Sequence, residues 1–393
     1  MRTKIINFLK TNPVITRLFW KITGFFLNVM RFFIRPQPKT MLFSSFGGRN
    51  FDDSPKAIFQ EVCAREEFRD WRLIWAFVQP DAFSVPRAEK IKIDTMRFFM
   101  ALLYSKVWVS NSGMTRGITI KRKDVIRVET WHGSALKKIC GDEHQNTIGG
   151  KKKKKGPLDA RTIRCVQSEY DRDLFARLFH AEKDAFLKSG LPRNDALLRY
   201  SKEDMLRVRK ALGIPDGKKV ILYTPTYREY LIDENKDMFI APPMDLEKWR
   251  KLLGGQYVLL MRMHYAVTAA MNLKEDGFVY DVSKYPNLND LYVIADLMIS
   301  DYSSTFFDYS ILDRPMLCFA YDLAEYEEKR GLYMKLQDVL PCPVDQDEDT
   351  LIHHILHLDE QAYAEKTKEF HRRFVPYAGA ASKMVVDEII RRL

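Results

Sequence analysis

The chain has 393 residues, 46% of them hydrophobic and 12% aromatic, enough to bury two or three domain cores and too apolar for a disordered chain. Its net charge of +11 first suggests nucleic acid, but the distribution excludes a basic domain surface: residues 1–40 hold eight Lys/Arg and no acid, Lys151–Lys155 add five positive charges, and the remainder sums to −2. Five widely spaced cysteines (Cys63, Cys140, Cys165, Cys318, Cys342) without a C-x-x-C pair argue against a disulfide scaffold or zinc site and fit reduced thiols.

The first predicted element is a helix over 14–34. Its longest uncharged stretch runs from Ile22 to Met30, well short of the ~18 residues a membrane span needs. The polar positions Arg17, Lys21, Gly24, Asn28, Arg31 and Arg35 are spaced by three or four residues. At ~100° per residue they fall within an arc of about 80°, opposite a wide apolar face that includes Phe25, Phe26 and Phe32. Pro13 suits the first turn, and Pro36 and Pro38 stop the helix. We expect it to lie on an anionic membrane surface, with Arg17, Lys21, Phe25, Phe26, Arg31, Phe32 and Arg35 at the lipid boundary. The alternative is docking on the protein's own core.

After this leader, strands and helices alternate at short spacing. Strands are predicted at 41–46, 71–78, 107–110, 125–130 and 164–168, with helices at 55–63 and 94–104. A turn-rich junction, Gly190-Leu191-Pro192-Arg193-Asn194-Asp195, precedes a second set of strands at 219–224, 257–263, 277–282, 297–300 and 316–320. The pattern predicts two α/β domains built on parallel sheets and joined near residues 190–200. Ligands of such sheets bind beyond the carboxyl ends of the strands, which is where the polar motifs fall.

Thr130-Trp131-His132-Gly133-Ser134 ends one strand. A histidine beside a glycine there is placed to act as a general base, although a lone histidine is also a common structural residue. Lys137 and Lys138 follow and could meet phosphate, or form a solvated face. In DLMISDYSSTFFDY (296–309), Ser303, Ser304 and Thr305 put hydroxyls at a helix start, suited to an anion or to ordinary capping. Thr226 and Arg228 end a third strand, and Arg262 and His264 a fourth, gathering cations as a pyrophosphate requires. There is no G-x-x-x-x-G-K-[ST] loop and no G-x-G-x-x-G. His353, His354 and His357 read as surface residues, and Lys151–Lys155 as a loop able to contact anionic lipid or polymer.

With these motifs in order, the chain resembles the CDP-glycerol:glycerophosphate glycerophosphotransferases of teichoic acid and capsule synthesis. The matching segments are SSFGGRNFDDSPKAIF (44–59), ETWHGSALKKI (129–139), GLPRNDALL (190–198), YTPTYRE (223–229) and the long stretch 290–333. The resemblance implies a GT-B fold: two Rossmann-like domains (39–195 on the acceptor side, 196–370 for the donor) facing a cleft. A leader (1–38) precedes them, and a C-terminal helix (371–393) returns to the first domain. It implies His132 as general base, and His264, Arg228, Ser303, Ser304 and Thr305 on the donor phosphates, where the strand-end residues Arg262 and Thr226 are expected to join them. Asp53, Lys56, Trp131, Ser134 and Lys137 are expected on the acceptor side. Ser134-Ala135 stands where the family has Thr-Pro, and Tyr227 where it has Trp, which bears on the acceptor or polyol more than on the reaction.

The implied reaction transfers glycerol phosphate from CDP-glycerol to a hydroxyl of an undecaprenyl-diphosphate-linked saccharide, releasing CMP at the cytoplasmic face of a bacterial membrane, with no obligatory metal or cofactor. A priming role is expected. Chain-extending glycerol- or ribitol-phosphate polymerases share the motifs, and a GT-B nucleotide-sugar glycosyltransferase is the rival of another class. Nucleic acid is not an expected partner.

Overall fold

The computed structural model describes residues 13–115, 117–118, 120, 122–142, 161–181, 185–228, 241–263 and 276–393. His264 and Lys151–Lys155 lie outside the described residues, as does the side chain of Arg17.

A leader helix α1 (Pro13–Met30) precedes a seven-stranded sheet. Its elements in chain order are β1 (Gln37–Ser44), α2 (Asp53–Ala64), β2 (Arg72–Phe77), β3 (Ala88–Lys92), α3 (Met96–Tyr104), β4 (Ser105–Ser110), β5 (Ile126–Glu129), β6 (Thr162–Val166), α4 (Glu169–Phe179) and β7 (Phe186–Lys188). Strand order is β3-β2-β1-β4-β5-β6-β7, and every pairing is parallel. Parallel strands covered on both faces carry unbroken apolar runs, as in β2, where every residue after Arg72 is buried.

A junction (Pro192–Leu198) and helix α5 (Lys202–Ala211) lead to the second sheet. It comprises β8 (Lys219–Tyr223), α6 (Leu246–Leu253), β9 (Tyr257–Met261), β10 (Val279–Asp281), α7 (Leu288–Ile294), β11 (Leu297–Ser300), α8 (Thr305–Ser310), β12 (Met316–Phe319) and β13 (Val344–Asp345). The order β10-β9-β8-β11-β12-β13, again parallel, repeats the winding of the first sheet. In each sheet the order reverses between the first and fourth strands, which opens a crevice at their carboxyl ends.

The strands expected from the sequence are all present. β1 starts at Gln37, ahead of its apolar run, because Gln37 still pairs with Ser105 at an exposed end. The sequence reading missed β3, β7 and β13, all of which are sheet edges. An edge strand needs apolar residues on less of its surface, and in β3 only Ile91 is buried.

Helix α9 (Glu360–Phe374) packs on the second core through Phe370 and Phe374. The final helix α10 (Ala381–Arg392) returns to the first, where Val385, Val386 and Ile389 join Ile58, Phe59 and Val62 of α2.

Of the two expectations for the leader, docking on the protein's own core is met in part. One edge docks on the first core: Leu27 is buried, Trp20 meets Phe99 edge-on, and the Gly24 backbone sits against Ile118. Buried Arg122 ties down its end by donating to the Ile34 carbonyl at 2.9 Å. Gly24 of the polar stripe therefore meets protein, while Asn28 is half-buried and donates to the Gly24 carbonyl at 2.7 Å. Leu18, Ile22, Phe25, Phe26, Val29, Phe32 and Phe33 all remain exposed, Phe25 at 74% and Phe33 at 77%. Lys21 and Arg35 are also exposed, and Arg31 lies 4.4 Å from the Phe32 ring. Among the described residues no helix is long and apolar enough to cross a membrane.

Candidate functional site

The two crevices face each other across a cleft of about 970 Å³. Its first-sheet wall includes Phe46, Asp52, Asp53, Lys56 and His132, and its second-sheet wall Arg262, Asn289, Tyr292, Ser304, Thr305 and Asp308.

His132 is held by a tight turn after β5, with Trp131 at φ +60 and Gly133 at φ +140. A Cβ at Gly133 would lie 2.5 Å from the Ser304 hydroxyl, so only glycine lets this loop abut the opposite wall. The His132 Nδ1 is 3.1 Å from the Asn111 carbonyl. A carbonyl only accepts, so Nδ1 carries the proton and Nε2 keeps its lone pair. Trp131 stacks on the imidazole at 4.5 Å and is itself braced edge-on by Phe175 and Phe179. Burial holds the His132 pKa below its ordinary value. The Asn111 bond and Asp53 oppose this shift, while Arg193 and Lys137 reinforce it. The neutral, proton-accepting form is thus favoured.

Across the cleft, the Thr305 hydroxyl lies 3.1 Å from that of Ser300, and Ser303 Oγ accepts from the Thr305 N–H at 3.2 Å. Arg262 donates from Nη1 to the carbonyls of Val282 (3.1 Å) and Tyr285 (2.7 Å). Among the described residues it forms no salt bridge; burial lowers its pKa, opposed at longer range by Tyr292 and Asp52, so its charge has no contact partner at the cleft wall. On the first-sheet side Lys56 lies 5.2 Å from the Phe51 ring, and Asp53 is paired with Arg193.

Six of the expected site residues that the structure describes do not line the cleft: Arg228, Thr226, Ser134, Lys137, Trp131 and Ser303. Arg228 is buried in the second half, where its Nε and Nη2 donate to Asp322, both at 2.8 Å, and Nη1 to Asp301 at 2.6 Å. The rings of Tyr302, Tyr321 and Tyr326 enclose it. Each of its three nitrogens is engaged by a carboxylate, so its charge is already compensated within the fold. Thr226 sits beside it, its N–H donating to Asp301 at 2.8 Å. Ser134 is buried, donating to Asp171 at 2.9 Å and accepting from Gln167 at 2.9 Å, and cannot meet an acceptor. Lys137 pairs through its backbone with Leu332, stitching the histidine loop to the second half.

The sequence reading assigned no role to Arg193, Asn111 or Asp308. Arg193 joins Asp53 to Asp308 directly beneath His132. The available signals were the arginine in the turn-rich junction and the acid one helical turn beyond Thr305. Among the described residues, no group of three His, Cys, Asp or Glu could hold a metal ion. His354 instead pairs with Asp345, and His357 bonds the His353 carbonyl.

Residues 26–391 match the family "CDP-Glycerol:Poly(glycerophosphate) glycerophosphotransferase". The chain is 34% identical over 370 residues to the teichoic acid poly(glycerol phosphate) polymerase of Staphylococcus epidermidis, covering 91% of this chain and 51% of that protein. It is 34% identical over 377 residues to the teichoic acid glycerol-phosphate transferase of Staphylococcus aureus, covering 91% of this chain and 94% of that one. It thus spans about half the first relative and nearly all of the second. The solved structure of the wall teichoic acid polymerase TagF superposes with a TM-score of 0.83 at 32% identity, covering 95% of this chain and 92% of that one. TagF has also been solved as a His-to-Asn variant soaked with CDPG.

Proposed function

The chain belongs to the CDP-glycerol:poly(glycerophosphate) glycerophosphotransferase family, and on that premise we propose that it transfers glycerol phosphate from CDP-glycerol to a hydroxyl of a lipid-linked acceptor, releasing CMP. The carrying observation is the His132 Nε2, left free by the Nδ1 bond to Asn111 and set in the same cleft as the hydroxyls of Ser304 and Thr305. In this reading His132 takes the proton of the acceptor hydroxyl as its oxygen attacks the β-phosphorus. Arg262, Ser304 and Thr305 face the charge that develops on the departing CMP. His264 joins them on the strength of the resemblance alone. The CDPG soak of TagF supports the choice of donor.

The exposed apolar face of α1 supports attachment at the inner membrane surface, where a nucleotide donor and a lipid-linked acceptor meet. Priming of a bare lipid-linked disaccharide is one reading of the step. Extension of a chain already bearing glycerol phosphate is the other, favoured by the S. epidermidis polymerase at 34% identity. Comparing CMP release with bare and primed lipid acceptors, using CDP-glycerol and CDP-ribitol, separates these. His132→Ala should abolish release and leave donor binding nearly intact; turnover at a tenth of wild type or more would remove His132 as the base.

A further inference from the structure

Arg193 lies in the junction between the two sheets, and each of its polar groups reaches a different part of the cleft. Its Nη1 donates to Asp53 at 2.7 Å and to the carbonyl of His132 at 3.0 Å, both in the first half. Its Nη2 donates to Asp308 on α8, in the second half, at 2.6 Å. The Arg193 carbonyl accepts from Asn289, a cleft-wall residue at the start of α7, at 2.7 Å, and its N–H reaches the Ser54 hydroxyl at 3.4 Å.

Its neighbours extend the same hub. Asn194 donates to Gln167 at 3.1 Å and to Asp308 at 2.8 Å. Asp195 accepts from the N–H groups of Ala381 and Ser382, at 2.9 and 2.7 Å, and so caps the returning helix α10. A Cβ at Gly190 would lie 2.6 Å from the Tyr377 carbonyl, so the crossing chain rests directly on this junction.

We propose that Arg193 is a positioning residue for the transfer: its planar fork fixes the His132 main chain and both carboxylate walls at a single separation, so that the base and the donor hydroxyls stay in register. This rests on the functional reading above. A guanidinium can do this because its donors diverge in one rigid plane, whereas a lysine offers a single point charge. Asp53 is held from two sides: its Oδ1 accepts from the Ser54 N–H at 2.6 Å and its Oδ2 from the Arg193 fork at 2.7 Å.

The test uses the full chain as wild type, R193K and R193Q. It measures CMP release with lipid-linked acceptor, CDP-glycerol affinity by calorimetry, thermal unfolding, and titration of the His132 ring by NMR. In R193K, kcat should fall roughly a hundredfold, the cost of a ~1 Å misplacement, while donor affinity stays near wild type. In R193Q the His132 midpoint should move upward, because a repelling cation is gone and Asp53 is left uncompensated; Lys137 stays in place in both variants. Wild-type kcat in R193K overturns the proposal. So does loss of kcat in step with donor affinity while the His132 titration is unmoved, the signature of a folding role alone. Should wild type release no CMP, the functional reading falls, and the His132 titration, which needs no turnover, still decides the proposal.

Discussion

Two arginines at strand ends of the second sheet, Arg228 after β8 and Arg262 after β9, look alike in sequence and have opposite circumstances. Arg228 is neutralised by Asp301 and Asp322 and enclosed by three tyrosine rings, and its burial is compensated within the domain. Arg262 is tied by one nitrogen to two carbonyls, faces no carboxylate within ion-pairing distance among the described residues, and lines the cleft. A partly buried cation with no carboxylate in contact is costly, and on the proposed function an anionic ligand would offset that cost. On the function proposed above, what separates a structural arginine from a ligand-binding one is the number of acids folded against it. Arg193 is intermediate: compensated by two acids, yet placed in the cleft beside His132.

The largest effect that would break this comparison is on folding. Arg228→Ala leaves Asp301 and Asp322 buried without their partner and should cost about 3–5 kcal/mol of stability, read by thermal or urea unfolding. An unchanged melting curve combined with lost donor binding would reverse the assignment. Next, Arg262→Ala should leave the melting temperature near wild type and weaken CDP-glycerol binding roughly 10–100-fold, the range for a hydrogen bond to a charged group, measured by calorimetry.

A smaller effect concerns the field at His132. Its folded pKa is lowered, so the neutral base persists below the ordinary pKa of 6.5 and is lost only as pH falls through the folded value. The acid limb of kcat/KM should therefore have its midpoint below pH 6.5. A midpoint above that value would mean that burial and Arg193 do not govern the imidazole.

The smallest is at Asp171, whose pKa burial raises to about 7. A folded pKa above the unfolded one favours folding at acid pH, and this contribution is lost as pH rises through about 7. The wild-type melting temperature should drop by a few degrees from pH 5 to pH 8 on this account, and Asp171→Asn should flatten the drop. An equally steep decline in the variant would assign it to other groups.

Much of this was legible from the chain. Interior strands show because burial on both faces demands an unbroken apolar run, as in KVILY of β8. Placement of His132, Arg262 and Ser303–Thr305 at strand ends was legible too, since the winding of parallel sheets brings such ends to one crevice. The edge strands β3, β7 and β13 were not, because they need fewer apolar residues. Nor was the docked edge of the leader: a helical period reports that a face is apolar but not how much of it the protein itself will cover.

The sequence by itself determined the two parallel sheets, the family and the candidate base, because these follow from local periodicity and short motifs. Only the tertiary structure decided which charged groups are available. Arg228 meets Asp301 across 73 residues, Ser134 meets Asp171 across 37, and Arg193 meets Asp53 and Asp308 across 140 and 115. Whether a polar side chain is spent on its own fold or left for a ligand depends on partners that chain order does not bring near: folding within each half supplies them for Arg228 and Ser134, and the meeting of the two halves supplies them for Arg193.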